Sequence, residues 1–205
     1  SKHYMIAHPT TDKLKPIGIF LSITLALSSI YYFLIIYSGT LSSGWGQFTI
    51  GLMWCPGLSA LITMKILKRN ISNLGWKWGK GKYQLWSYLI PILYAFVAYL
   101  IIWVWGWGGF YDKGYVIRLT NAFGFGEIGS GFIIAFYFIL LGIFGTIRGA
   151  SSALGEEIGW RGFLVPELYK TQGFTKTSLI SGLIWGIWHL PILLFADYNS
   201  GTPSW

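Results

Sequence analysis

Five long apolar stretches, parted by short polar or charged ones, set the plan of this chain. Pro16 to Tyr37, Phe48 to Met64, Gln84 to Trp105, Gly131 to Ile147 and Ser178 to Ala196 contain no lysine, arginine, aspartate or glutamate. A helix needs about 20 residues to cross roughly 30 Å of hydrocarbon, and these runs are of that order. The alternating pattern of a membrane strand is absent from them. The chain is therefore expected to be all-α, a polytopic transmembrane helix bundle of about five membrane helices. It reads as a single transmembrane domain over residues 1–205, with its motif-bearing core at 131–196.

Basic residues between the runs give a direction. Lys2, Lys13 and Lys15 precede the first run, which argues for a cytoplasmic amino terminus. Ser38 to Gln47 has no charge. The next loop carries Lys65, Lys68, Arg69, Lys77, Lys80 and Lys82 without an acid among them, the strongest inside mark. Gly106 to Ser130 balances Asp112 and Glu127 against Lys113 and Arg118 and reads as an outside loop. Lys170 and Lys176 fall where an inside loop is due. An integral protein of the plasma membrane is expected, and its net charge of +8 is spent beside anionic headgroups rather than on nucleic acid.

Composition closes off the soluble alternatives. With 54% hydrophobic residues and only 11% charged, the chain lacks the polar surface of a soluble globule. Trp45, Trp76, Trp78, Trp103, Trp105 and Trp107 sit at the ends of spans and fit an interfacial aromatic belt. Cys55, the single cysteine, can form no internal disulfide and reads as a small buried hydrophobe. No cleavable signal peptide is expected, because the first run is long and lacks a small-residue cleavage pattern. The start at Ser1 and the stop at Trp205, soon after a span, suggest trimmed ends.

Against this background a few ionisable groups stand out. Gly155-Glu156-Glu157-Ile158-Gly159-Trp160-Arg161 and His189 lie in segments otherwise suited to lipid, where a charge costs about 2.5–3.5 kcal/mol and usually serves function. Glu157 and Arg161 stand four apart with the acid first, the favourable order for a helical ion pair. Glu156 is turned by about 100° from Glu157 and finds no cation within a turn, so it is the freer carboxylate and the first candidate for a catalytic base. His189 precedes Pro191, which removes an amide donor and loosens the helix there.

Glycines suggest how these groups could meet. The chain has 27 of them, and Gly155 with Gly159 and Gly182 with Gly186 are spaced by four, the pattern that lets membrane helices approach closely. The two segments are expected to pack on each other and bring Glu156 toward His189. A single helix from Gly131 to Glu156 would run about 38 Å, so it should tilt or break. Glu167, followed by Lys170, reads as a solvated interfacial residue. Asp197 with Asn199 reads as an outside turn, and His3 and His8 as solvated.

The string Glu156-Glu157-x-x-x-Arg161, followed by Trp185-x-x-x-His189 and then Leu190-Pro191, resembles the CAAX protease and bacteriocin-processing family of intramembrane endopeptidases, also called Abi. That family includes Ras-converting prenyl-protein endopeptidases and bacterial proteins linked to bacteriocin maturation and self-immunity. The resemblance covers Gly155 to Leu194. It implies a protease, possible metalloprotease chemistry with zinc, and a peptide or prenylated protein substrate reached among membrane lipids. Glu156 would activate water, His189 would help hold that water or a metal, and Glu157 with Arg161 would be the supporting pair. Any metal would fall to Glu156 and His189. Trp185 stands where many relatives carry phenylalanine. The family's later motif, a histidine followed four residues on by asparagine or aspartate, has no match after His189, so the chain is expected to stop before the last helices. Since a catalytic zinc takes three protein ligands and water, its shell is incomplete here. A non-enzymatic immunity or scaffold protein that binds a partner through the same bundle is the alternative. A transporter is a weaker third, for want of paired broken helices in repeated halves.

Overall fold

The computed structural model describes residues 10–39, 41, 46–124 and 129–196. Its helices are α1 (Thr10–Ser38), α2 (Gln47–Ile66), α3 (Gly81–Val104), α4 (Lys113–Phe123), α5 (Ser130–Leu140), α6 (Thr146–Glu157) and α7 (Val165–Phe195). A 3-10 turn, Ile71–Leu74, follows α2. Four helical stretches are long and apolar enough to cross a membrane: Leu14–Ser38, Gln47–Ile66, Gly81–Val104 and Ser130–Phe195. The protein is an all-helical polytopic membrane protein.

The fourth and fifth expected spans both lie in the last of these stretches. It is interrupted three times, by wide π turns at Leu141–Gly145 and Ile158–Leu164 and by Gly173, whose φ of 70° and ψ of 175° leave the helix. The stretch from Gly131 to Glu156, expected to tilt or break, stays helical and carries the first wide turn. The presumed outside loop also contains structure. There α4 starts at Asp112, whose carboxylate accepts the Tyr115 amide at 2.9 Å, an N-cap bond.

The chain divides into two compact units, residues 1–76 with 148–205 and residues 77–147. In the first, α1 packs on α2 and α7, and the Ile158–Leu164 turn packs on α2 and α7. Phe20, Leu52, Phe163, Leu164 and Ile192 are fully buried there. The Phe20 ring lies 5.0 Å from Phe163 and meets Trp160 edge-on at 5.7 Å. Between helices in lipid there is no hydrophobic drive, so close packing must come from small residues and polar contacts. Both are visible here. A Cβ on Gly155 would lie 2.6 Å from the Trp54 Cα, and one on Gly159 would lie 2.6 Å from the Pro56 carbonyl oxygen.

This corrects the expected partner of the glycine face. Gly155 and Gly159 press on α2, and Gly162 presses on the Leu74 carbonyl, while Gly182 and Gly186 on α7 have nothing among the described residues within 4 Å of an added Cβ. Spacing shows that a helix has a flat side and not which neighbour fills it.

In the second unit α4 packs on α5, with ring contacts from Tyr115 to Tyr137 at 6.2 Å and from Phe123 to Phe136 at 5.5 Å. The Tyr88 hydroxyl of α3 donates to the Gly142 carbonyl at 3.3 Å. No described residue of α3 is buried.

Candidate functional site

The site is built around the second wide turn. Its signature is the Val165 amide donating to the Trp160 carbonyl, five residues back. Pro166 brings no amide of its own to the next turn, and Gly159 and Gly162 allow backbone to pass close to Pro56 and Leu74. Trp160, Phe163 and Leu164 anchor the turn in the core. Glu156 and Glu157, the last residues of α6, are thereby fixed at its entrance.

The two acids face different partners. Glu157 is ion-paired with Arg161, and both side chains are exposed. Glu156 is half-buried, and its Oε2 accepts the Trp185 indole N–H at 2.8 Å. One helical turn later His189 Nδ1 lies 2.9 Å from the Trp185 carbonyl. A carbonyl only accepts, so Nδ1 carries the hydrogen and a neutral imidazole presents Nε2 as an acceptor. The His189 ring lies 4.4 Å from the Trp185 ring and 4.7 Å from that of Trp188.

Trp185 therefore joins Glu156 and His189, with its side chain bound to one and its backbone to the other. In the sequence it stood only as the aromatic position of a motif. The available signal was an indole N–H on an apolar helix, a donor that needs an acceptor when withdrawn from water.

A cavity of about 480 Å³ has Glu157, Arg161, Tyr169, Phe174, Ser181 and Trp185 in its walls, and Glu156 and His189 are not among its lining residues. Trp160 and Thr177 also line it, and the buried Trp160 Nε1 and Thr177 Oγ1 have no hydrogen-bond partner among the described residues. For Thr177 the cause is local. The residue four before it is Gly173, whose ψ of 175° turns its carbonyl away from the helix.

Glu167 departs from its expected place. It is 7% exposed and binds Arg69 Nη1 at 2.9 Å as well as Lys170. The helical neighbour Lys170 was readable, but Arg69 is 98 residues away at the end of α2.

Among the described residues no group of three histidine, cysteine, aspartate or glutamate side chains is placed to hold a metal. Glu157 is engaged by Arg161, and His189 Nδ1 by a carbonyl, which leaves Glu156 and His189 Nε2 as donors. Two donors do not fit the three-ligand shell of a catalytic zinc. His3, His8, Asp197 and Asn199 lie outside the described residues.

Residues 138–201 match the family model for type II CAAX prenyl endopeptidase, Rce1-like. A curated relative, CAAX prenyl protease 2 of Methanococcus maripaludis, is 36% identical over 42 residues, which are 20% of this chain and 16% of the relative. No solved structure matches the chain. The stretch that carries Glu156, Glu157, Arg161, Trp185 and His189 is thus similar to the type II CAAX prenyl endopeptidases of the Rce1-like family.

Proposed function

We propose that this protein is an intramembrane endopeptidase that hydrolyses a peptide bond in a membrane-associated or prenylated peptide. The observation that carries this reading is the joining of Glu156 and His189 through Trp185 inside the family-matched stretch. A carboxylate base held by the Trp185 indole and an imidazole acceptor held by the Trp185 carbonyl suit the activation of a single water. In that chemistry Glu156 takes one proton as the water oxygen attacks the scissile carbonyl carbon. It returns that proton to the leaving nitrogen as the C–N bond breaks. His189 Nε2 accepts the other hydrogen of the water and fixes its direction.

The pairing of Glu157 with Arg161 keeps a second negative charge from acting on Glu156. The cavity beside Glu157 and Trp185 is within the roughly 300–1,000 Å³ of ligand pockets, large enough for several residues of an extended peptide. Substrates would arrive among membrane lipids. By the basic loops, the amino terminus and the site face the cytoplasmic side of the plasma membrane.

The test is cleavage of a prenylated peptide by the full chain in proteoliposomes. Glu156→Gln should lower the rate by about 10²–10⁴-fold, while Lys68→Gln on the loop after α2 leaves it unchanged. A cellular phenotype that survives Glu156→Gln but not Lys68→Gln would instead make the chain a partner-binding immunity or scaffold protein.

A further inference from the structure

The turn that carries His189 is a weak piece of helix. Pro191 has no amide to give the Ile187 carbonyl, and its ring crowds that carbonyl, so the turn from Ile187 to Pro191 has lost an internal bond. Yet the imidazole is useful only if its ring and tautomer are fixed. Something outside α7 must supply what the helix lacks.

Two polar residues of α1 do so. Ser28 and Tyr32 stand four apart on one face of that helix. The Ser28 hydroxyl oxygen, fully buried, accepts the Trp188 indole N–H at 2.8 Å. The Tyr32 hydroxyl donates to the Trp188 backbone carbonyl. One residue is thus clamped at its side chain and at its main chain. Trp188 is 3% exposed, packs edge-on against Trp160 at 5.6 Å, and meets the His189 ring at 87°. The Trp188 carbonyl is the next after that of Ile187, so Tyr32 braces the very turn that Pro191 weakens.

We infer that Ser28 and Tyr32 are positioning residues, which act through Trp188 to hold the His189 imidazole in the tautomer with hydrogen on Nδ1 and with Nε2 directed at the reacting water. The inference rests on the peptidase reading for its catalytic consequence and on the α1–α7 hydrogen bonds for its structural one. Neither residue lines the cavity beside Glu157.

The experiment has two arms on the full chain in lipid nanodiscs, with Tyr32→Phe, Ser28→Ala and the pair, and with Tyr31→Phe as the control on the same helix. In the first arm, ¹⁵N-histidine NMR reads the tautomer. The chain has three histidines, and the His189 signal is assigned by its loss in His189→Gln. The wild type should show a single form protonated at Nδ1. Tyr32→Phe and Ser28→Ala should broaden or split it, the pair most, and Tyr31→Phe should not. In the second arm, prenylated-peptide hydrolysis should show kcat lowered by about 10- to 100-fold in the pair, with KM within about twofold. An unchanged His189 signal overturns the inference, as does an unchanged kcat in the pair when the wild type is active. A wild type that cleaves nothing overturns the peptidase reading instead, and the tautomer arm still decides the brace.

Discussion

The two units use the same apolar alphabet and come out differently. In the first, α1 and α2 bury Thr24, Ser28, Cys55, Gly57, Ser59, Ala60 and Thr63, and the helices around them interlock. In the second, α3 is more apolar than α2 and buries no residue. Lipid tails compete equally for leucine and isoleucine, so a helix gains a protein neighbour mainly through small and polar residues. Hydrophobicity puts a helix in the membrane, and the exceptions to it decide what the helix touches there.

That contrast breaks most sharply at the glycine contact. Gly159→Ala would force a Cβ against Pro56, where only backbone and a proline ring could give way, and should cost about 3 kcal/mol of stability in detergent unfolding. A variant that unfolds like the wild type would mean that α2 and the wide turn do not touch. Next in size is Glu167→Gln, which leaves Arg69 and Lys170 without their shared acid. Because those cations are partly exposed, the expected loss is about 1–2 kcal/mol, and it should shrink in high salt.

Smaller effects sharpen the comparison. Lys68 closes α2 at a φ of 52°, with the Arg69 amide reaching back to the Met64 carbonyl at 2.9 Å. Glycine takes that conformation without strain, so Lys68→Gly should stabilise the first unit by about 0.5 kcal/mol in the same unfolding assay. Smallest of all is Ala98→Leu on α3, an enlargement like that at Gly159 but on an exposed face, expected to stay within about 0.5 kcal/mol. A large loss there would show that α3 packs as tightly as α2.

The spans were legible because length and apolarity are properties of the chain itself. The Glu157–Arg161 pair was legible for a similar reason, since four residues of helix bring the groups together. What the sequence hid depends on distant or collective geometry. Gly155 and Gly159 announced a flat side, but α2 as its partner comes from the tertiary packing. Glu167 looked like a surface acid because Arg69 is remote in the chain. Trp185 could be named as part of a motif, whereas its double link to Glu156 and His189 needs the backbone to be placed. The wide turns at Leu141–Gly145 and Ile158–Leu164 carry no residue type that marks them, because a π turn differs from an α turn by one accommodated residue.

A seam of that kind makes residue count, as well as residue type, a design variable. Deleting one amino acid from Ile158–Leu164 would leave an ordinary α turn with its flanks near their present phase, whereas deleting one from the regular helix between Gly173 and Trp185 would swing everything beyond it by about 100°. The indole and imidazole would then be aimed elsewhere with every one of them still in place. For this molecule a gap of one there, in an otherwise faithful copy, would be a graver lesion than many substitutions.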